Sequence, residues 1–284
     1  MAALLWCIVT LTVKRAATTI LAFLVGAPLG LLCSPPAATA QTPIEPSATL
    51  SAALTPEHLG GGTTIHFSFT IADTEGQLPP PLVKVDLLYP ANLGIANSGL
   101  GFATCHQPRL EADGPSGCPA DSVMGFGTGV VEVPFGPQVL RETARVVTFM
   151  APLREEHLAL LFYAAGEKPV AAQLVLQGTV LPTAPPFGGN LATEIPLLPT
   201  LPEAPDASLV SFDTTLGPSH VTYYEYARGR SIPYHPRGIR LPRTCPHGGF
   251  RFAARFTFQN ETHAAANTSV PCPPSVHRGA GRRR

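Results

Sequence analysis

The chain has 284 residues, of which 32 are proline and 26 glycine, so about a fifth of its positions oppose regular helix. Hydrophobic residues make up 45% and charged ones 13%, with 19 basic against 19 acidic side chains. That is apolar enough for a core, which excludes a disordered chain, and too neutral for a strongly basic nucleic-acid binder.

The first element is a leader. Lys14 and Arg15 precede an apolar run over 16–33, broken by Gly26 and Pro28, and Ala38-Thr39-Ala40 follows before Gln41. This order predicts a secretory signal peptide over 1–40, removed on export, and the alternative is an uncleaved anchor. Residues 2–13 are apolar and come ahead of the first positive charge, which suggests a translation start at Val13. The expected mature chain loses Lys14 and Arg15 and keeps 17 basic against 19 acidic residues. It divides into a lead-in at 41–47, a single domain at 48–274 and an Arg-rich, solvated tail at 275–284.

Four cysteines remain in that mature chain: Cys105, Cys118, Cys245 and Cys272. In an exported protein they predict two disulfides with three connectivities open, neighbour pairing being the simplest. No CxxC occurs, and no two of the nine histidines share the i, i+2 or i, i+4 spacing of common metal sites. No metal and no cofactor is therefore expected. P-loop, dinucleotide, HExxH and G-x-S-x-G motifs are also missing, so no catalytic residue is assigned and the expectation leans away from an enzyme.

Strands follow in chain order. Residues 63–72 alternate Ile65, Phe67, Phe69 and Ile71 with polar neighbours, the period of a half-buried strand. After three prolines, residues 82–89 do the same. The segment between Cys105 and Cys118 reads as a loop with at most one helical turn. Residues 122–133 form a strand threaded with Gly125, Gly127 and Gly129, which marks a bulge or a close approach of backbones. Two more strands are expected at 141–150 and 157–164, and an almost continuously apolar one at 170–181. Seven prolines then fall within 182–205, which reads as extended segments crossing the outside of a sheet. Finally, residues 250–258 place Phe250, Phe252, Ala254, Phe256 and Phe258 on one face. A turn at 259–262 makes a hairpin whose open end is flanked by Cys245 and Cys272. The expected fold class is all-β: a β-sandwich of about a dozen strands, with a jelly roll as one arrangement.

The stretches CPADSVMGFGTGVVEVPFG, HLALLFYAAGEKPVAAQLV, APPFGGNL, YHPRGIRLPRTCPHGGFRFAARFTF and VPCPP carry a resemblance. They resemble a family of uncharacterised exported proteins of high-GC Gram-positive bacteria, over residues 48–274 and including the four cysteine positions. The resemblance implies export, cysteine pairing and a β fold, and it brings no catalytic residue with it.

Binding is the chemistry that remains. Between Arg228 and Arg255 lie seven arginines and no acid, interleaved with aromatic residues. Arg228, Arg230, Arg237 and Arg240, with Tyr223, Tyr224 and Tyr234, are the candidate ligand-binding residues. Guanidinium and aromatic groups together suit an anionic envelope polymer or a polysaccharide. The expected function is thus a secreted or envelope-associated, non-catalytic binding or structural protein. It meets no nucleic acid, and it meets membrane only through its signal segment. One alternative is a carbohydrate-active enzyme using Glu225 with Asp213 as a carboxylate pair. Against it, strand alternation alone puts Tyr223 and Glu225 on one face and Tyr224 and Tyr226 on the other. The other alternative is an assembly subunit that completes its sheet with a neighbour.

Overall fold

The structure, a computed structural model, describes residues 45–73, 77–96, 103–166, 172–198, 206–217, 222–235 and 238–273. The signal segment, the Val13 start, Arg237 and the tail at 275–284 lie outside the described residues. Fifteen strands form among them: β1 (Ser47–Thr55), β2 (Gly62–Ala72), β3 (Leu82–Pro90), β4 (Gly94–Ala96), β5 (Val123–Phe135), β6 (Gln138–Arg154), β7 (His157–Gly166), β8 (Ala172–Leu181), β9 (Phe187–Glu194), β10 (Ser208–Leu216), β11 (Tyr223–Ala227), β12 (Arg230–Tyr234), β13 (Gly238–Arg240), β14 (Phe250–Phe258) and β15 (His263–Val270). A short helix, α1 (Gln107–Asp113), lies between β4 and β5.

Thirteen strands join one antiparallel sheet in the order β15-β14-β3-β9-β8-β7-β6-β5-β10-β2-β13-β4, with β1 also paired on β2. The run β5 to β9 is a meander in which each strand pairs with the next. β15 returns beside β1, so the sheet curls until its ends nearly meet. Its opposite walls then pack as an all-β sandwich: the rings of Phe69 on β2 and Phe256 on β14 lie 4.9 Å apart across the core.

The period-two reading of the aromatic strands holds. Phe250, Phe252, Ala254, Phe256 and Phe258 are all buried, whereas Arg251 and Arg255 between them are exposed. Each buried Phe contributes roughly 1.5–3 kcal/mol by leaving water, so this one strand is a large share of the driving force. At the far end of the hairpin, the Asn260 Oδ1 accepts from both the N–H and the hydroxyl of Thr262, which closes the turn. The glycines of β5 do permit a close approach. A Cβ at Gly125 or Gly127 would run into the carbonyl oxygens of Thr215 and Asp213 on β10.

Two readings need correction. The middle of the proline-rich stretch does not run along the outside. Its eight residues Phe187–Glu194 carry no proline and form β9, which sits inside the sheet between β8 and β3. Prolines remove a ladder donor only where they stand, so the strand fits between them. The loop between Cys105 and Cys118 holds more helix than one turn: α1 spans seven residues, with a proline in its first turn. Gly114, at φ 63°, ends it.

Both neighbour disulfides are present, Cys105–Cys118 and Cys245–Cys272. The first holds α1 on the outer face of the sheet. There Leu110, fully buried, packs with Phe149, Leu161 and Tyr163 as a second, smaller core. This explains the near-continuous apolar run of β7. Leu160 and Phe162 face the main core, while Leu161 and Tyr163 face the helix.

Candidate functional site

Of the residues expected to bind, Tyr223, Tyr224, Arg228, Arg230 and Tyr234 fall on the β11–β12 ribbon and Arg240 on β13. Arg228 and Gly229 make the turn of the β11–β12 ribbon, both at positive φ, as the tightest hairpin turns require. Arg228 and Arg230 are exposed there, and Arg240 is exposed on β13. Tyr223 does not face outward. It is 2% exposed, its hydroxyl donates to the Val123 carbonyl at 2.5 Å, and its ring meets that of Tyr234 edge-on at 5.6 Å. Burial, then the nearby Asp121 and Tyr234, push its phenol well above the usual tyrosine range. It anchors the ribbon to β5. Tyr224 and Tyr226 lie on the opposite face, as alternation requires, and are 69% and 78% exposed.

The two carboxylate residues of the enzyme reading fall in different sheets. β10, with Asp213, pairs with β2 and β5, whereas Glu225 belongs to the separate β11–β12 ribbon. Asp213 Oδ2 instead meets His66 Nε2 at 3.3 Å, and His66 Nδ1 lies 3.3 Å from Thr215 Oγ1. This acid–imidazole–hydroxyl set sits on the outer face of two strands that are each paired on both sides. Their ladder N–H groups are engaged rather than aimed at a developing oxyanion. The set ties β2 to β10. Among the described residues, no group of three or more His, Cys, Asp or Glu side chains comes together to hold a metal. No described helix is long and apolar enough to cross a membrane.

A different site emerges inside the curled sheet. The inward positions of β5, β6 and β7 carry Gly129, Ala144 and Gly166, and these three stand side by side, Gly129 opposite Ala144 and Ala144 opposite Gly166. A row of missing side chains across three neighbouring strands leaves a hollow. Its volume is about 360 Å³. Val131, Val133 and Leu140 wall it on one side, Leu174 and Leu176 of β8 on another, and Leu209 and Phe212 of β10 on a third. The chain leaving β9, Ile195 to Leu198, also borders it, as does Phe135, which is 49% exposed.

One carboxyl faces this apolar space. Glu142 on β6 points inward with Leu140, Ala144 and Val146, while its neighbours Arg141, Thr143 and Arg145 point out. The residue is 7% exposed, and its Oε1 is enclosed without a hydrogen-bond partner. Desolvation by burial raises its carboxyl above the ordinary carboxylate range. Gly166 makes room for it, since a Cβ there would collide with Oε1. The contrast with Glu132, one strand away, is direct: that carboxylate faces out and meets Arg141 at 3.7 Å.

Sequence reasoning passed over Glu142, although its signal was present. In the segment 138–150 the glutamate stands in the apolar phase, where a solvated charge has no place. The Gly129–Ala144–Gly166 row carried no such signal, because it exists only in the cross-strand register. No protein-family profile, curated protein or solved structure matches this chain.

Proposed function

We propose that this is an exported, non-catalytic binding protein that holds a small apolar molecule within its curled sheet. The observation that carries the reading is the 360 Å³ hollow with its aliphatic walls. Ligand sites are concave, mostly apolar and equipped with few polar groups, and this one has that composition. Export rests on the leader at 1–40 and on two disulfides, which are compatible with an oxidising compartment. The likeness to exported proteins of high-GC Gram-positive bacteria supports the same reading. The uncharged dye N-phenyl-1-naphthylamine tests it. The purified protein should brighten the dye, and Ala144→Leu, which fills the hollow, should weaken dye affinity by about tenfold while the fold survives. A wild-type protein that leaves the dye dark, or a variant that binds it equally well, would remove the reading.

A second site on the surface is favoured by the exposed pair Tyr224 and Tyr226, two residues apart on one ribbon face beside Arg228 and Arg230. Aromatic faces spaced in this way suit sugar rings, and the arginines suit anionic groups on the same polymer. Retention on purified envelope polysaccharide that fades with salt and is lost in Tyr224→Ala/Tyr226→Ala would support it. Retention unchanged in that variant would retire it.

A further inference from the structure

We propose that the ligand of the interior hollow is an alkyl chain ending in a primary amine, and that its ammonium nitrogen pairs with the carboxyl of Glu142. This rests on the reading of the hollow as a binding site and names what enters it.

The inward residues of β6 around Glu142, namely Leu140, Ala144 and Val146, pack as apolar side chains, whereas Glu142 presents an enclosed oxygen with no partner. A buried polar group left unsatisfied costs about 1–3 kcal/mol, more if charged. Such violations of local consistency concentrate at functional sites. The glycine opposite is a second sign of accommodation: Gly166 leaves the volume that Oε1 occupies.

The class of ligand follows from what the walls lack. Among the described lining residues Gln173 is the single other polar side chain, it is exposed, and none of the lining side chains is basic. A carboxylic acid ligand would therefore bring a second acid to an uncompensated one. An alcohol would satisfy a hydrogen bond and leave the charge unpaired. An ammonium supplies both the donor and the opposite charge, which makes ionisation of the buried carboxyl favourable. A hollow of about 360 Å³ with aliphatic walls suits an alkyl chain of medium length.

Displacement of N-phenyl-1-naphthylamine by decylamine, decanol and decanoate at pH 7.5 decides the matter. On the wild-type protein decylamine should compete about tenfold more strongly than decanol, with decanoate weakest. In Glu142→Gln the amine should lose that advantage over decanol. Decanol or decanoate matching decylamine on the wild-type protein would overturn the proposal and leave the apolar site standing. So would a preference for amine that survives in Glu142→Gln. Failure of the dye and all three competitors to bind would overturn the proposal together with the site. The wild-type ranking stands as a test even where the variant does not fold.

Discussion

The two halves of the interior are built by one rule and end differently. On β14 every inward position but one is phenylalanine, and the five inward residues are between 0% and 3% exposed. On β5, β6 and β7 the inward row Gly129, Ala144 and Gly166 follows the same period-two alternation with almost no side chain. Alternation decides which residues face inward, and their volume decides whether the space is core or pocket. A fold can therefore keep its hydrophobic drive in one wall and its binding space in another.

Breaking the filled wall should be the most damaging change. Phe256→Ala, at a fully buried position against Phe69, should cost about 3–5 kcal/mol, read as a fall in the denaturation midpoint. A drop below about 1 kcal/mol would mean that the filled half does not carry the fold. Cys105→Ala/Cys118→Ala ranks next. Loss of that bridge should cost about 3 kcal/mol in the chain-entropy account, and release of Leu110 should add to it. Equal stability with and without the bridge would show that the helix holds by packing alone.

On the hollow side the expected effects are smaller and differ in kind. The Glu142 carboxyl is raised in the folded protein, so the folded state holds its proton over a range where the unfolded state has released it. Its contribution to stability is therefore complete below the unfolded carboxylate pKa and lost as pH rises through the raised folded value. Glu142→Gln should remove this dependence: it should raise Tm relative to wild type at pH 8 by about 2–4 °C and give no gain at pH 4. A wild-type protein whose stability rises across that interval relative to the variant would contradict the buried, unpaired carboxyl. The mildest change is Gly129→Ala. A Cβ there meets Phe212 and Leu209 at ordinary contact distances of 3.7 and 3.8 Å, so stability should move by less than about 1 kcal/mol while the hollow narrows. Long chains should then lose affinity and short ones keep it, as dye displacement with a series of alkylamines would show.

Much of the filled half was legible beforehand, because Phe and Ile alternating with polar residues on β2 and β14 state both the strand and its inner face. β1 was not legible. Its inward residues Ala48, Leu50, Ala52 and Leu54 are small or few, and they count as a strand only when β2 pairs with them. β9 was masked by the prolines around it. Alternation could place Tyr224 and Tyr226 together on one face but not say which face is exposed, so Tyr223 was expected to bind and is buried; the outward arginines say little, since a charge on the solvated side of a strand is ordinary. Glu142 stood in plain view as a phase violation. The hollow did not, because three small residues on different strands become neighbours only through register.

The stapled helix gives the sheet a condition of its own. β6, β7 and β8 are covered on their outward side by Leu110 at Phe149, Leu161, Tyr163 and Val175, further along β6 than Glu142, whose neighbours Arg141, Thr143 and Arg145 are exposed. That cover is tied by Cys105 and Cys118, and Cys105 N–H also bonds the Met150 carbonyl at 2.8 Å. Thiols join outside the reducing cytosol. A chain with reduced cysteines would thus carry every residue of the sheet without the staple that ties α1 to its outer face.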